Sequence, residues 1–389
     1  MIPISEFTEE KLFAKTRLPT EEASTLVPDC YRRADFFELE SQKIFANAWV
    51  CVGYACEVDQ PGKMLRAQVA GQPLVITRNK EGQLKGFFNV CRHRGSILVL
   101  EDKKHERFRC PYHSWTYDLD GKLLNCPLFT LDRDKNFNKS QYNLLPIRVS
   151  QYGCFIFVCL CEKTPNLSDY LGDMPTDYKN FPLEELKLVR RKKYNIKANW
   201  KLIAENFLEY YHLPWVHPEL CEVTPIEMHK RNQGAGMYMS FYASPLGKSG
   251  SFLDSGALSP MPGLSKHEQD SGYFPFVFPN VAMFLLPHHL FSLILSPQSI
   301  NETQEFGDLL VHPSVFNDPN ADKKIDEIFA FYDMVNSQDI LAVELVQQGI
   351  MAQAYSGGRM CYRFEEPVHR FQNMAIDFLT GTRRQYKAD

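Results

Sequence analysis

Residues 90–95 read VCRHRG, and residues 110–115 read CPYHSW. Each stretch presents one cysteine and one histidine: Cys91 with His93, and Cys110 with His113. Together they make a four-ligand set for a metal group. A tetrahedral Zn(II) accepts two thiolates and two imidazoles. A Rieske [2Fe–2S] cluster puts two Cys on one iron and two His on the other. Zinc knuckles more often contribute two like ligands each. Here each loop carries one of each kind, so each can bridge both irons, which favours the cluster. Pro111 stiffens the second loop, and Trp115 opens the strand that follows.

The flanking sequence reads as a small all-β domain. Short β-rich runs at Trp49–Ala55, Pro73–Thr77 and Leu84–Val90 are separated by turn residues. Trp115–Leu119 and Lys122–Leu124 flank an Asp120-Gly121 turn and predict a hairpin. Cys154–Leu160 is apolar enough for a buried strand. Upstream, Phe36, Leu39, Ile44 and Phe45 fall at helical spacing within Ala34–Ala46. A turn-rich stretch over 163–168 marks a boundary. We therefore expect an N-terminal helical arm at 1–45, a β domain at 46–165 and a second domain at 166–389.

That second domain opens with a strand, Leu186–Tyr194. Further strands are expected at Val281–Leu286, His289–Ser296 and Glu305–His312, in an antiparallel arrangement. Gly247–Lys266 reads as a mobile loop, and a long helix is expected from Ala321 to Tyr355. There is no G-x-G-x-x-G dinucleotide loop, so the chain is not expected to hold its own nicotinamide.

Residues 199–217 read NWKLIAENFLEYYHLPWVH. Taken as a helix from Trp200 to about Leu213, ended by Pro214, this segment puts Glu205, Glu209 and His212 on one face. His217 follows the break and can bend back to the same point. The apolar stripe of the long helix (Ile328, Tyr332, Val335, Ala342, Val343, Val346) carries Asp339 in its middle, while Asp333 and Glu344 point away. A carboxylate on a buried face is costly unless it is paired or bound to a cation. His212, His217 and Asp339 would thus form a 2-His-1-carboxylate triad, a set that suits Fe(II) with open positions for O₂ and substrate. Glu344 is the next candidate for the third ligand.

Composition limits the remaining choices. The chain has 389 residues, room for two or three domains. Its hydrophobic fraction of 44% and charged fraction of 23% are ordinary for a globular protein and exclude a disordered one. A net charge of −4 gives no basic footprint for nucleic acid or an anionic membrane. The start, MIPISEFTEEKLF, lacks a basic n-region and a long apolar stretch, so no signal peptide is expected. No apolar run approaches the ~18 residues of a membrane span. A cytoplasmic setting follows, in which most of the eleven cysteines are thiols or metal ligands rather than disulfides.

In this order and spacing, C-R-H-R-G, C-P-Y-H-S-W and the N-W-K-x3-E-N-x2-E-x2-H-x4-H segment beginning at Asn199 resemble the α subunits of the Rieske non-haem iron oxygenases, the aromatic-ring-hydroxylating dioxygenase family. The resemblance covers about residues 35–380. It implies an α+β chain: a small all-β Rieske domain, then a helix-grip-like catalytic domain with an antiparallel sheet and a long C-terminal helix. It implies a homotrimer in which the cluster of one chain faces the mononuclear iron of its neighbour. Glu209, the acid three residues before the first iron histidine, would bridge the two centres. Glu205 and Asn206 would support the site. Electrons would come from NAD(P)H through a separate flavin and iron–sulfur reductase.

The C-terminal half is most similar to the α-only choline, glycine betaine and carnitine-type oxygenases. The residues are Phe278-Pro-Asn280, Pro287-His-His-Leu-Phe291, Val346-Gln-Gln-Gly349 with Tyr355 and Gly358-Arg359, and Val368-His-Arg-Phe371. His288 and His289 depart from the more usual acid-containing loop. This likeness implies O₂-dependent oxidation or N-demethylation of a small quaternary ammonium compound. Phe241, Tyr242, Tyr273, Phe274, Phe276 and Phe284 are candidates for a cation–π cage. The remaining histidines (His105, His229, His267, His288, His289, His312, His369) are read as structural or surface residues. Three alternatives stay open: ring hydroxylation of an aromatic acid, a Rieske electron carrier without oxygenase chemistry, and a zinc-stabilised binding protein.

Overall fold

A computed structural model of the chain describes residues 2–129, 136–246, 258–382 and 384–388. Two compact units are present. One is Phe45–Thr164; the other combines Met1–Ile44 with Pro165–Asp389.

The first unit is built from three antiparallel sheets of three strands each. β1 (Val50–Tyr54) pairs with β9 (Phe155–Cys159), which pairs with β8 (Arg148–Tyr152). β2 (Met64–Val69), β3 (Gln72–Arg78) and β4 (Leu84–Phe88) form a meander. The smallest sheet joins β5 (Phe108–Arg109), β6 (Thr116–Tyr117) and β7 (Leu123–Asn125). The expected hairpin is therefore real but shorter, with a register shift between Thr116 and Tyr117. Gly121 takes a positive φ of 80° in its turn, where a Cβ would run into the Phe87 ring. Phe87, Phe108, Trp115, Tyr117 and Leu123 form the core beneath the two Cys/His loops.

The second unit is organised around one nine-stranded antiparallel sheet. Its long members are β10 (Lys187–Ile196), β17 (Leu290–Ser299) and β18 (Glu302–Val311), with β16 (Val281–Leu285) beside β17. The mouth of the sheet is made of shorter strands: β11 (His229–Arg231), β12 (Tyr238–Met239), β13 (Phe241–Ala243), β14 (Gly272–Tyr273) and β15 (Phe276–Val277). A long helix, Ala321–Ile350, lies against the sheet and stops before Tyr355. Tyr332 stacks on Phe291 at 4.1 Å and accepts or donates a hydrogen bond with His289 Nε2 at 3.0 Å, which locks helix to sheet. Most of the expected loop at Gly247–Lys266 lies outside the described residues; its end, Lys266–Gln269, is a short helix.

Three expectations are corrected. The helix at Ala34–Ala46 is α-helical only over Ala34–Glu40 and continues as a wider turn over Ser41–Phe45. The stripe on the long helix does not include Val346, which is 48% exposed, or Ala342; Gln347 and Ile350 are buried instead. The expected stripe repeats every seven residues, and on a 3.6-residue helix such a repeat drifts about 20° per heptad away from the contact line. Lastly, the helix beginning at Trp200 ends at Phe207, well before Pro214.

The N-W-K triplet anchors that helix. Asn199 caps it by accepting the Lys201 N–H at 3.1 Å, and its own N–H donates to Gln347 Oε1 at 2.8 Å. Lys201 Nζ is buried and donates to Glu40 Oε1 at 2.6 Å and to Asn199 Oδ1 at 2.8 Å. Trp200 Nε1 donates to the other oxygen of Glu40 at 3.3 Å. Removing one partner of a buried ion pair strands the other charge, which costs about 3–5 kcal/mol. Glu40→Leu is therefore expected to lower stability by about that amount in urea unfolding. The double variant Glu40→Leu/Lys201→Met is expected to recover most of it; no recovery would mean that Glu40 acts through packing alone.

Candidate functional site

The two Cys/His loops close in the same way. Cys91 N–H donates to Ser96 O at 2.8 Å, and Gly95 N–H donates to Cys91 O at 3.0 Å. Cys110 N–H donates to Trp115 O at 2.8 Å, and Ser114 N–H donates to Cys110 O at 3.0 Å. Gly95 and Ser114 hold matching positions, and both have positive φ, 77° and 59°. Twin loops of this kind present one sulfur and one imidazole each toward a shared point.

The His93 and His113 rings approach to 4.7 Å between centroids, and His93 stacks on Trp115 at 4.8 Å. His93 Nδ1 and His113 Nδ1 are buried and have no hydrogen-bond partner. A stranded polar atom costs about 1–3 kcal/mol unless something takes it up. Two orphaned imidazole nitrogens beside two thiols fit iron of a [2Fe–2S] group. Tyr117 Oη lies 3.5 Å from Cys91 Sγ and accepts from the Arg92 N–H at 3.1 Å. Burial pushes the Cys91 thiol up. At Cys110 burial acts the same way, but the backbone N–H groups of His113 and Tyr112 outweigh it and hold the thiol below its ordinary value.

In the second unit, Glu209 and His212 sit in the turn that follows the Trp200 helix, and His217 sits just past the next short helix. The Glu209 carboxylate accepts the backbone N–H groups of Tyr211 and His212, so it stops the helix and starts a new turn. Pro214 then lies in the first turn of the next short helix, Leu213–Val216, where a missing N–H costs nothing. The expected common face of Glu205 and Glu209 is therefore absent. Glu205 is instead half-buried, accepting from Tyr31 Oη at 2.6 Å and Gln372 Nε2 at 2.9 Å.

His212, His217 and Asp339 each direct one ligand atom to a common point, all within 4.8 Å of one another. His217 Nε2 lies 2.7 Å from Asp339 Oδ1, and His212 Nε2 lies 3.5 Å from it. Both rings turn Nε2 inward because Nδ1 is held outside: His212 by Glu209 Oε1 at 2.5 Å, His217 by Gln338 Oε1 at 2.7 Å. Outer partners of this kind fix ring orientation at metal sites. Burial alone would raise the Asp339 carboxyl, but hydrogen bonds from His212 and His217 hold it below its ordinary value. The donor set is two imidazoles and a carboxylate with no thiolate, which fits Fe(II) and leaves positions open. Glu344, the fallback, is engaged elsewhere, accepting the Lys197 N–H at 2.9 Å.

A cavity opens over this triad. Phe241, Phe274 and Phe284 line it, together with Phe207, Tyr210 and Tyr332. Tyr242, Tyr273 and Phe276, the other proposed cage residues, do not. Alternation along β13 turns Phe241 inward and Tyr242 outward onto Tyr273; Phe276 packs on Phe371. Asn206 lines the cavity as well. Several lining residues were not read as site residues from the sequence, among them His229, taken as structural or surface, and Glu305. His229 stacks on Tyr210 at 4.7 Å, and burial pulls it down to about 4, so its ring is neutral. Glu305 is wholly buried. Its signal was available: within the strand expected at Glu305–His312, alternation puts this acid on the same face as Gly307 and Leu309.

Residues 48–132 match the Rieske [2Fe-2S] domain family, and residues 183–381 match the ring hydroxylating alpha subunit (catalytic domain) family. The glycine betaine monooxygenase oxygenase subunit of Pseudomonas aeruginosa strain UCBPP-PA14 is 30% identical over 366 residues, covering 86% of this chain and 84% of that one. The chloroplastic choline monooxygenase of Atriplex hortensis is 24% identical, covering 91% and 78%. A solved quaternary ammonium Rieske monooxygenase, described with carnitine oxidation by gut microbiota and inter-subunit electron transfer, superposes with a TM-score of 0.80 at 24% identity, covering 95% of this chain and 98% of that one. Twin Cys/His loops in a Rieske domain, followed by a catalytic domain that draws two histidines and an aspartate together, make this chain a member of the Rieske non-haem iron oxygenases, an oxidoreductase whose family uses a [2Fe–2S] cluster, mononuclear iron and electrons supplied by a reductase.

Proposed function

We propose that the chain is the oxygenase component of an O₂- and NAD(P)H-dependent monooxygenase that oxidises a C–H bond of a small quaternary ammonium compound. The observation that carries this reading is the aromatic cavity directly over His212, His217 and Asp339. When bound, the cluster relays single electrons and the mononuclear iron activates O₂. In this reading Cys91, His93, Cys110 and His113 hold the cluster, and His212, His217 and Asp339 hold the iron. One oxygen atom enters the substrate, and the other leaves as water with two electrons and two protons. Hydroxylation of an N-methyl carbon gives a hemiaminal that falls apart to the amine and formaldehyde; hydroxylation of an alcohol carbon gives an aldehyde hydrate.

The chain's own residues do the positioning. The Phe241, Phe274 and Phe284 rings offer π faces to a quaternary nitrogen and keep water out. Glu209 keeps the Nδ1 proton of His212 on the outer side of the ring, which leaves Nε2 as the ligand atom. As in the family, Glu209 would link the two centres across a subunit boundary in a homotrimer. We assign 46–165 to the cluster domain, 166–389 to the iron domain, and 1–45 to an arm, in a cytoplasmic protein served by a flavin and iron–sulfur reductase. The aromatic-acid reading lacks support: among the described residues, no Lys or Arg lines the cavity to meet a substrate carboxylate. Among the same residues, no helix is long and apolar enough to cross a membrane.

Three measurements test the assignment. His212→Ala is expected to keep the cluster absorption, lose about one iron per chain and lose turnover; full oxygenation would remove His212 from the iron site. Glu209→Ala is expected to lower turnover about 10–100-fold with cluster and iron content intact, and an unchanged rate would discard its linking role. Incubation with choline, glycine betaine and carnitine, against benzoate-type acids, is expected to release aldehyde only from the amines; ring-hydroxylated products from the acids would replace the substrate reading.

A further inference from the structure

Glu305 is the one carboxyl of the cavity wall not engaged with the iron-site histidines. It projects from β18, is 0% exposed, and lines the cavity. Its Oε1 accepts from Asn336 Nδ2 at 2.6 Å, while its Oε2 is buried with no hydrogen-bond partner among the described residues. Asn336 lies on the long helix between Tyr332, one turn before, and Asp339, one turn after. All three residues line the cavity. A turn of helix is about 5.4 Å. Asn336 therefore ties Glu305 to the stretch of helix that runs from Tyr332 to Asp339.

Three carboxylates share the cavity wall with the His212 and His217 imidazoles, which are already taken up by Glu209 and Asp339. Glu209, Glu305 and Asp339 line it; no Lys or Arg does so among the described residues, and His229 is neutral. A trimethylammonium group suits this wall. A second, anionic end finds no Lys or Arg among the described lining residues to pair with, and a desolvated, unpaired carboxylate is costly. A purely structural Glu305 would need only its Asn336 contact and would leave Oε2 stranded, at a cost of about 1–3 kcal/mol.

We propose that Glu305 is the specificity-determining residue of this cavity, and that it selects a net-cationic amine, a choline-like compound with an ammonium and no carboxylate, over zwitterions such as glycine betaine and carnitine. This rests on the quaternary ammonium reading above and narrows it. With the cation between Oε2 and the Tyr332 ring, the carbons attached to nitrogen lie toward Asp339, where oxidation occurs. Burial pushes the Glu305 carboxyl up to about 7; the Asn336 hydrogen bond lowers it and the nearby Asp339 charge raises it. Near neutral pH it can therefore give up its proton at little cost as a cation arrives.

The test is binding by calorimetry on the cluster-loaded enzyme and its Glu305→Gln and Glu305→Asp variants. The probes are choline, glycine betaine, carnitine and 3,3-dimethylbutanol, the uncharged carbon isostere of choline. The wild type is expected to bind choline at least tenfold more tightly than either zwitterion. Glu305→Gln is expected to lose at least tenfold for choline while leaving 3,3-dimethylbutanol unchanged, and Glu305→Asp to recover part of the loss. A merely structural role would weaken the isostere and choline alike. Equal choline binding by Glu305→Gln and wild type, equal losses for choline and the isostere, or a wild type that prefers glycine betaine or carnitine, would each overturn this inference and leave the quaternary ammonium reading standing. Binding and ring hydroxylation of benzoate with no binding of any amine would overturn both.

Discussion

A carboxylate and two imidazoles pulled out of water must satisfy one another or a cation, and Asp339 with His212 and His217 meets that demand. They come from two segments far apart in sequence, the histidines from one and Asp339 from the other. Their meeting needs the long helix pressed on the sheet and the turn after Phe207 brought up to it. Tyr332 against Phe291 supplies the first. The Asn199 cap, with Lys201 sunk against Glu40, supplies the second, since Asn199 also ties this segment to Gln347 of the same long helix. The motif that looks least like chemistry, N-W-K, thus sets the position of the residues that do it.

The same economy governs the local geometry. Glu209 satisfies two backbone N–H groups of its own turn and one ring nitrogen of His212. It both ends the helix and orients a ligand. This is why the segment could not remain one helix to Leu213: in a continuous helix those amides would bond to carbonyls four residues back, and the carboxylate would have pointed along the helix face instead of across the turn. In the cluster unit the corresponding economy is the twin loop closure, in which residues of positive φ let each Cys and His face the same point.

The cavity joins these parts to substrate choice. Aromatic rings from β13, β16 and Phe274 between β14 and β15 meet the Tyr332 face of the long helix, and among the described residues the wall carries carboxylates and no Lys or Arg. Apolar faces, π electrons and negative charge together favour a compact organic cation. The helix that carries Asp339, a proposed iron ligand, is thus also the one that carries the proposed ligand-selecting wall, because Tyr332, Asn336 and Asp339 are successive points on it.

Much of the cluster site was legible in the amino-acid sequence, because its ligands come in two short loops whose spacing is local and whose flanks are strands. The family motif likewise pointed to His212 and His217, and the buried-face argument pointed to Asp339. Helix ends were less legible: Pro214 could end one helix or begin another, and only the carboxylate of Glu209 bonding to its own turn decides between them. Cage membership was legible by half, since composition names aromatics while strand alternation and register decide which face they take. Strand alternation could point to Glu305, but its free oxygen and the His217 contact of Gln338 became visible only once folded. A free carboxyl oxygen or a ring nitrogen's outer partner is a property of what packs around it, and that neighbourhood is assembled from strand β18, the long helix and the His217 turn, which only the tertiary structure brings together.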